Sequence, residues 1–523
     1  MAVTPNTVVH FLNVPLENNY KNQIYFDNRS NQTTYMMTKR VNDTDGNPMT
    51  FSNLTYQRKD NVIRVPLHID KMINANYVMY QNTTYTDRWF YAFITKMEYV
   101  NDGRTDVTIQ TDVWQTWFDK ITLKESFVER EHVTDDTVGK HTVPEGLETG
   151  EYICNELIRD SELRNYSYVL LVSDTYDDEI MSRPLAINMG GIFYAGGAFI
   201  CTSMNQVVSI INLYDQEGKG EAITAVYMLP SKIIDHEYEE EEQLKYGGLS
   251  SPVTYNVNFS KQTTLDGYTP KNNKLKCFPY NYIEMSNNNG SSNILQYEHF
   301  STSTCQFEVT GIPVIGGSIK CSPLNYKGLE RYQEEGIMCG KFPTLSWSSD
   351  LFTNWLTQNA VNIGLGVASS GLTAIGGLAM MSTGAGAVAG AGAVVSGSLG
   401  IANTLGQVYQ QSFTPASAKG NINGGDINTA YKMNTFYFHK MSIKKEYAQI
   451  IDKFFEMFGY KVNTVKVPNI SSRPHWNYIK TIDVNLDGQA PQEDLKIIRQ
   501  MFDSGVTFWK NGDNVENYSL NNH

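Results

Sequence analysis

The chain has 523 residues, 41% hydrophobic and only 19% charged, with a formal net charge of −13 at pH 7. That length exceeds what one hydrophobic core supports, so several domains are expected, and the mean hydropathy of −0.36 is that of a globular chain. The acidic balance argues against general phosphate-backbone binding, which needs clustered Lys and Arg, and offers no attraction to anionic lipid.

The first 135 residues read as strands and turns. Asp45-Gly46 and Asp102-Gly103 sit between β-rich runs, and Asp-Gly is a strong hairpin signal. Trp89 to Ile94 precedes the second turn. Thr105 to Val113 follows it, with Val107, Ile109, Thr111 and Val113 on one face of a half-buried antiparallel strand. From 136 to about 345 the pattern stays mostly β, as in Ser167 to Val172 and Thr224 to Pro230. The acid run Glu237, Glu239, Glu240, Glu241 and Glu242 lacks the interleaved Gly and Asx of a calcium loop and reads as a solvated turn. Residues 275–292, LKCFPYNYIEMSNNNGSS, read as a strand ending in an Asn-Gly turn whose tip faces solvent or a neighbouring subunit.

Residues 351–418 contain no Asp, Glu, Lys, Arg or His. The apolar side chains in this stretch are too dense for a solvated linker: Trp355, Leu356, Ile363, Leu365, Val367, Leu372, Ile375, Leu378, Met380, Met381, Val388, Val394, Val395, Leu399, Ile401 and Leu405. Residues 360–381 and 385–409 are each long enough to span the ~30 Å hydrocarbon core as a helix, which takes about 20 residues. Ser382-Thr383-Gly384 offers a turn between them, and Gly386-xxx-Gly390 permits close helix packing. Trp355 and Tyr409 flank the two arms, where interfacial aromatics sit. The density of Gly and Ala makes the stretch less apolar than a resident membrane span. Residue chemistry therefore leaves two readings open, a membrane-inserting hairpin and a buried interface or plug. Gly420, Gly424 and Gly425 follow as a hinge.

The last hundred residues carry the clearest elements. Thr435 to His439 reads as a strand holding Phe436 and Phe438. Ile443, Tyr447, Ile450, Ile451, Phe454, Phe455 and Phe458 follow at helical spacing, with Ser442 to cap and Gly459 to terminate. Val462 to Val467 and Trp476 to Val484 alternate as strands. Pro491 opens a helix carrying Leu495, Ile498, Met501 and Phe502, which Gly505 closes before Val506 to Trp509. The order β-α-β-β-α-β is the split βαβ signature.

No catalytic constellation stands out. HExxH, GK[ST], GxSxG and EF-hand patterns are missing, and Gly364-Leu365-Gly366 is followed by Ser369 where a dinucleotide fingerprint needs Gly. Asp106 and Asp112, as a carboxylate pair, would lie about 20 Å apart on one strand, too far for glycoside hydrolysis. His132 and His141 lie in a stretch with no other sign of a site. The six cysteines show no CxxC and no metal spacing, and read as reduced, small hydrophobes. The first twenty residues lack the basic and long apolar regions of a secretory signal. No enzyme activity, metal or cofactor is expected.

Several long blocks resemble the tail-knob, or distal tube, proteins of small short-tailed bacteriophages of the Picovirinae type. They are TDVWQTWFDKITLKESFVEREHV from Thr111, Pro144-Glu145-Gly146-Leu147 with Gly150-Glu151-Tyr152, NNKLKCFPYNYIEMSNNNG from Asn272, and the run from Lys444 to Asn511. The resemblance implies a structural virion protein of mainly β fold with an α+β C-terminal part, forming a hexameric tube at the tail tip. It implies four regions: a tube domain in 1–135, a knob region with part of the tube in 136–350, a hydrophobic plug in 351–420, and 421–523 completing the tube. The implied partners are five further copies, upstream tail and collar proteins, host cytoplasmic membrane lipid, and genomic DNA passing without sequence-specific binding. In that family a long hydrophobic loop closes the channel and then forms a membrane pore. The charge-free stretch falls at the loop's expected position.

Overall fold

Among the described residues, runs of alternating β-branched and aromatic residues become strands that pair antiparallel, except for the parallel pair Asn22–Ile24 and Val506–Trp509, and helices are few. The computed structural model describes residues 6–346, apart from 53, 55, 58–60, 85, 175–185, 190, 191, 196, 235–252, 289, 314–316 and 340–343, and residues 435–523. The chain divides into two units: Met1–Gly150 with Gly267–Lys276 and Lys445–His523, and Glu151–Asp266 with Cys277–Lys444.

The first unit holds a seven-stranded sheet in the order Thr50–Ser52, Thr7–Leu12, Tyr77–Asn82, Phe90–Asn101, Arg104–Thr111, Val62–Val65 and Tyr56–Gln57. Asp102-Gly103 turns the chain between two of these strands, with Asn101 opposite Arg104, as the hairpin signal predicts. Val107 and Ile109 point into a core with Val9, Phe11, Ile63 and Val78. The strand stops at Thr111, however, and Val113 belongs to a short helix, Val113–Trp117. Asp112 explains the change, since its carboxylate accepts the Gln115 N–H and caps the helix. A second departure is the helix Arg29–Thr38, capped by Asn28. Its polar sequence, RSNQTTYMMT, shows no apolar stripe to announce it.

This unit also holds a two-stranded sheet, Leu486–Gly488 with Ile121–Leu123, and a five-stranded sheet in the order Asn22–Ile24, Val506–Trp509, Trp476–Ile482, Ser126–Glu131 and Tyr460–Lys466. The C-terminal residues run β-α-β-β-β-α-β, because a short strand, Leu486–Gly488, pairs with Ile121–Leu123 before the last helix, and the split βαβ sheet does not form. Its first strand, Tyr437–Ile443, joins a sheet of the other unit, and Ser126–Glu131 fills the interior place. Ser442 and Ile443 lie in that strand rather than capping or opening the helix, which runs Lys445–Phe458. Ile450 is 67% exposed, outside the buried stripe of Ala448, Ile451 and Phe455. Leu495, Ile498, Met501 and Phe502 are buried on the helix Gln492–Ser504, as their spacing predicts.

The second unit has three main sheets. One runs Tyr152–Arg159, Tyr437–Ile443, Asn281–Ser286, Ser292–Gln296. Another runs Gly197–Cys201, Tyr166–Val172, Ile223–Pro230, Thr344–Ser346. The third carries Val253–Ser260, Thr304–Gly311, Ile319–Tyr326 and Leu329–Arg331 in order, with Ile337–Met338 paired to Ile319–Tyr326. A helix, Met204–Gln216, interrupts the β pattern behind a Ser203–Gln206 capping box. Of the six free cysteines, Cys201, Cys277, Cys305, Cys321 and Cys339 are buried and Cys154 is exposed.

Candidate functional site

The residues singled out for membrane activity, from Trp355 and Leu356 to Leu405, lie outside the described residues. So do the hinge glycines Gly420, Gly424 and Gly425, and Glu237 to Glu242. The structure shows how the fold holds the two ends of this stretch. Before it, Thr344–Ser346 pairs antiparallel with the strand Ile223–Pro230, placing Ser346 opposite Ala225. After it, the chain returns at Thr435, where the hydroxyl donates to the Asp160 carbonyl at 2.7 Å. The Asp160 N–H donates to the Phe436 carbonyl at 3.0 Å, and Phe436 is fully buried. The Asp160 side chain accepts from the Tyr255 hydroxyl at 2.5 Å and from the Glu162 N–H at 3.0 Å. Burial pushes this carboxyl above the usual range, and these two donors oppose the shift. Thr435 was visible as the start of a strand. Its partner, 275 positions earlier, leaves no local signal.

A second constellation, within the first unit, gives the four resemblance blocks a common physical role. Glu145 of Pro144-Glu145-Gly146 has its side chain 1% exposed between the Arg130 guanidinium and the Lys274 ammonium. It also accepts the Lys461 N–H at 2.9 Å. Asp136 accepts the Tyr460 hydroxyl at 2.7 Å and the Asn273 N–H at 3.0 Å. Asp452 accepts the Tyr268 hydroxyl at 2.7 Å and the N–H groups of Lys271 and Asn272 at 2.8 and 3.0 Å. Three carboxylates thus hold Gly267–Lys276 and the extended chain around 133–150. Such charges are tolerable in a protein interior only when paired and hydrogen-bonded. Their oxygens are occupied by structural bonds, so they form a clasp and not an acid–base pair.

The residues weighed for catalysis are likewise engaged in structural bonds. Asp106 makes a two-point ion pair with Arg64 at 2.6 and 2.7 Å. Asp112 is buried as a helix cap and accepts the Tyr77 hydroxyl at 2.9 Å. Desolvation raises the Asp112 carboxyl to about 7, against the pull of its hydrogen-bond donors. His132 is buried between the Tyr478 N–H, 2.7 Å from Nδ1, and the Glu456 carbonyl, 3.0 Å from Nε2. His141 places Nε2 2.8 Å from the Asp135 carbonyl. Among the described residues no group of His, Cys, Asp and Glu is arranged to hold a metal, and no helix is long and apolar enough to cross a membrane.

Comparison with known proteins fits this picture of a structural β scaffold. Residues 242–523 match the family model for the C-terminal domain of tail knob protein gp9 of Bacillus phage phi29. The chain belongs to this tail knob family. Residues 5–122 also match the N-terminus of the caudoviral major tail protein. The chain is 26% identical to tail knob protein gp9 of Bacillus phage phi29 over 617 aligned positions, covering all of both chains. It is 28% identical to the tail knob protein gp9 of Bacillus phage PZA, again covering all of both. In fold it is similar to the tail knob protein gp12 of bacteriophage C1, with a TM-score of 0.66 and 15% identity across 99% of each chain. It is therefore a structural component of a phage virion tail.

Proposed function

We propose that six copies of this chain form the distal tube and knob of the tail, and that residues 351–418 serve as its releasable plug. In this arrangement 1–135 and 421–523 build the tube, and 136–350 form the knob with part of the tube. The tube joins the upstream tail and collar proteins, and genomic DNA runs through without sequence-specific binding. A chain with a net charge of −13 suits a conduit that must not hold DNA. Before infection the side chains from Trp355 to Leu405 pack against each other and stay dry. After release they enter the host cytoplasmic membrane and line the route for the genome.

The observation that carries this reading is the complete lack of charge over 351–418 in a chain of the tail knob family. Ionised side chains cannot solvate such a stretch, and exposed singly it is an aggregation hazard. Deleting 356–408 should leave a six-fold ring visible by electron microscopy and abolish dye release from lipid vesicles. Absence of release by the intact protein under ejection conditions or low pH would leave a purely structural tube. Gly386→Asp tests the lipid step directly, because a charge at mid-bilayer costs at least about 2.5–3.5 kcal/mol per chain. A virion bearing it that ejects DNA normally would count against a pore.

A further inference from the structure

Two strand edges in the first unit lack a strand partner among the described residues and also carry exposed apolar side chains. The first is Tyr460–Lys466, the outermost strand of the five-stranded sheet, which pairs on one side only, with Ser126–Glu131. Register places Val465 opposite Phe127, and Phe127 opposite Ile482. Val128 belongs to the core, so by alternation the row Val465, Phe127, Ile482 stands on the other face. Its members are 64%, 37% and 54% exposed. The row beside it, Lys461, Arg130 and Lys480, is polar, with Arg130 paired to Glu145 and Lys480 to Glu129. An apolar row with a polar rim is the anatomy of a protein interface. The second edge belongs to the hairpin of Phe90–Asn101 and Arg104–Thr111. Tyr77–Asn82 pairs with it only along Phe90–Phe93, and from Thr95 to Asn101 every residue but Met97 is exposed. Tyr99 and Val100 on this arm are 54% and 38% exposed.

An open strand edge with apolar side chains is a template for pairing with another chain. We infer that these two edges are the two halves of one contact between copies of this chain, the arm Thr95–Asn101 of one copy lying along Tyr460–Lys466 of the next. The inference rests on the six-copy ring proposed above and names the surface by which it closes. Both edges lie in residues assigned there to the tube, 1–135 and 421–523. Copies related by rotation into a ring of more than two meet through two different patches of each copy. Each copy has one edge of each kind to offer, so this single contact, repeated around the ring, leaves neither edge open. A two-fold pair would join like to like and leave the other edge exposed, as would a different tail protein seated on one edge. Glu145 already takes the Lys461 N–H, so the arm pairs beyond Asn463, along Thr464–Lys466. Tyr99 and Val100 supply apolar surface for the row that starts at Val465.

Mass photometry of the full chain over a range of concentrations reads the contact. Val465→Asp and Val100→Asp alter one edge each at positions exposed in the single chain, so both variants should keep their fold, which circular dichroism checks. Leu329→Asp, on a strand of the other unit and 53% exposed, is the control. Each edge variant alone should need at least about tenfold more protein than the parent to form rings, and Leu329→Asp should match the parent. An equimolar mixture of the two edge variants tests the pairing itself. Each keeps the edge that the other has lost, so together they should form dimers with one copy of each, and stop there. Rings unimpaired in both variants would overturn the inference and leave the six-copy reading standing. Loss of assembly in Val465→Asp alone would assign the outer strand to a contact of like with like and overturn the arm's part. A parent that stops at dimers, weakened in both variants, supports the edge contact and overturns the six-fold ring. A parent that stays monomeric at every concentration overturns both.

Discussion

His132 should make this protein acid-sensitive, and the size of the effect follows from its surroundings. The ring is fully buried, and both nitrogens are engaged in a way that requires the neutral form. Nδ1 accepts the Tyr478 N–H, so Nε2 must carry the proton toward the Glu456 carbonyl. A second proton would have to displace the Tyr478 N–H. Burial drives the pKa down to about 3; the Glu456 carbonyl opposes the shift, and nearby Arg473 adds to it. The unfolded chain takes up that proton near the ordinary value of about 6.5. The neutral form is favoured by folding, so its contribution to stability is whole above pH 6.5 and is lost as pH falls toward 3. Each pH unit costs about 1.4 kcal/mol in that window, hence roughly 2 kcal/mol by pH 5.

Urea unfolding followed by tryptophan fluorescence measures this, since Trp476 donates to the same Glu456 carbonyl. His132→Asn removes the titrating group and keeps an acceptor for the Tyr478 N–H. The variant should be less stable than the parent at pH 7.5, and the gap should narrow by roughly 2 kcal/mol at pH 5. Other titrating groups are common to both chains and cancel in the difference. A gap that stays constant between the two pH values would refute the assignment of a neutral, buried His132.

Glu145→Gln leaves Arg130 and Lys274 without their shared counter-charge in a buried site, which should cost about 3–5 kcal/mol and lower Tm clearly in calorimetry. Asp112→Asn should behave in the opposite sense to an ordinary cap mutation. Its carboxyl is raised to about 7, so ionisation weakens the fold as pH climbs from about 4 to 7. Asn keeps an acceptor for the Gln115 N–H, so denaturant midpoints at pH 8 should rise, with a flatter dependence on pH than the parent. Gly459→Ala should destabilise by about 2 kcal/mol or more, because φ is +65° there and an added Cβ would meet the Glu131 carbonyl. A Gly459→Ala chain with unchanged midpoints would show that the backbone can give way at that crossing.

Local rules carried much of the strand and helix pattern. Val107 and Ile109 alternate into the core, and Leu495, Ile498, Met501 and Phe502 keep the period of a helix, because each pattern is written within a few residues. The helix Arg29–Thr38 has a polar sequence and no stripe to read. The sheets were less legible, because strand order depends on partners far apart: Ser126–Glu131 lies between Trp476–Ile482 and Tyr460–Lys466. No periodicity marks Ser126–Glu131 as the strand that displaces Tyr437–Ile443 from the expected sheet. The resemblance blocks were legible as sequence, but their reason was not. Glu145, Lys274 and Lys461 come from three of them, and only the fold shows that they share one buried carboxylate.

The placement of the charge-free stretch also bears on how such a chain folds. Both flanks end in strands of one unit, Thr344–Ser346 and Tyr437–Ile443, and the return is fastened at Thr435 and Phe436 by bonds to Asp160. The fold around these flanks closes a loop. The entropy of closing it rises only with the logarithm of loop length, about 0.6 kcal/mol for each doubling. A tail knob chain can therefore lengthen or shorten this stretch at little cost to the sheets that hold it. The 617 aligned positions shared with the phi29 protein, more than the 523 residues here, show that insertions separate the two chains. Deletion of 356–408 should accordingly keep the parent's unfolding midpoint within about 1 kcal/mol, unless burial of the stretch itself stabilises the unit. In that case the midpoint should fall by more than loop closure accounts for. A deletion that unfolds the unit outright would mean that the stretch is part of its core, and not a plug.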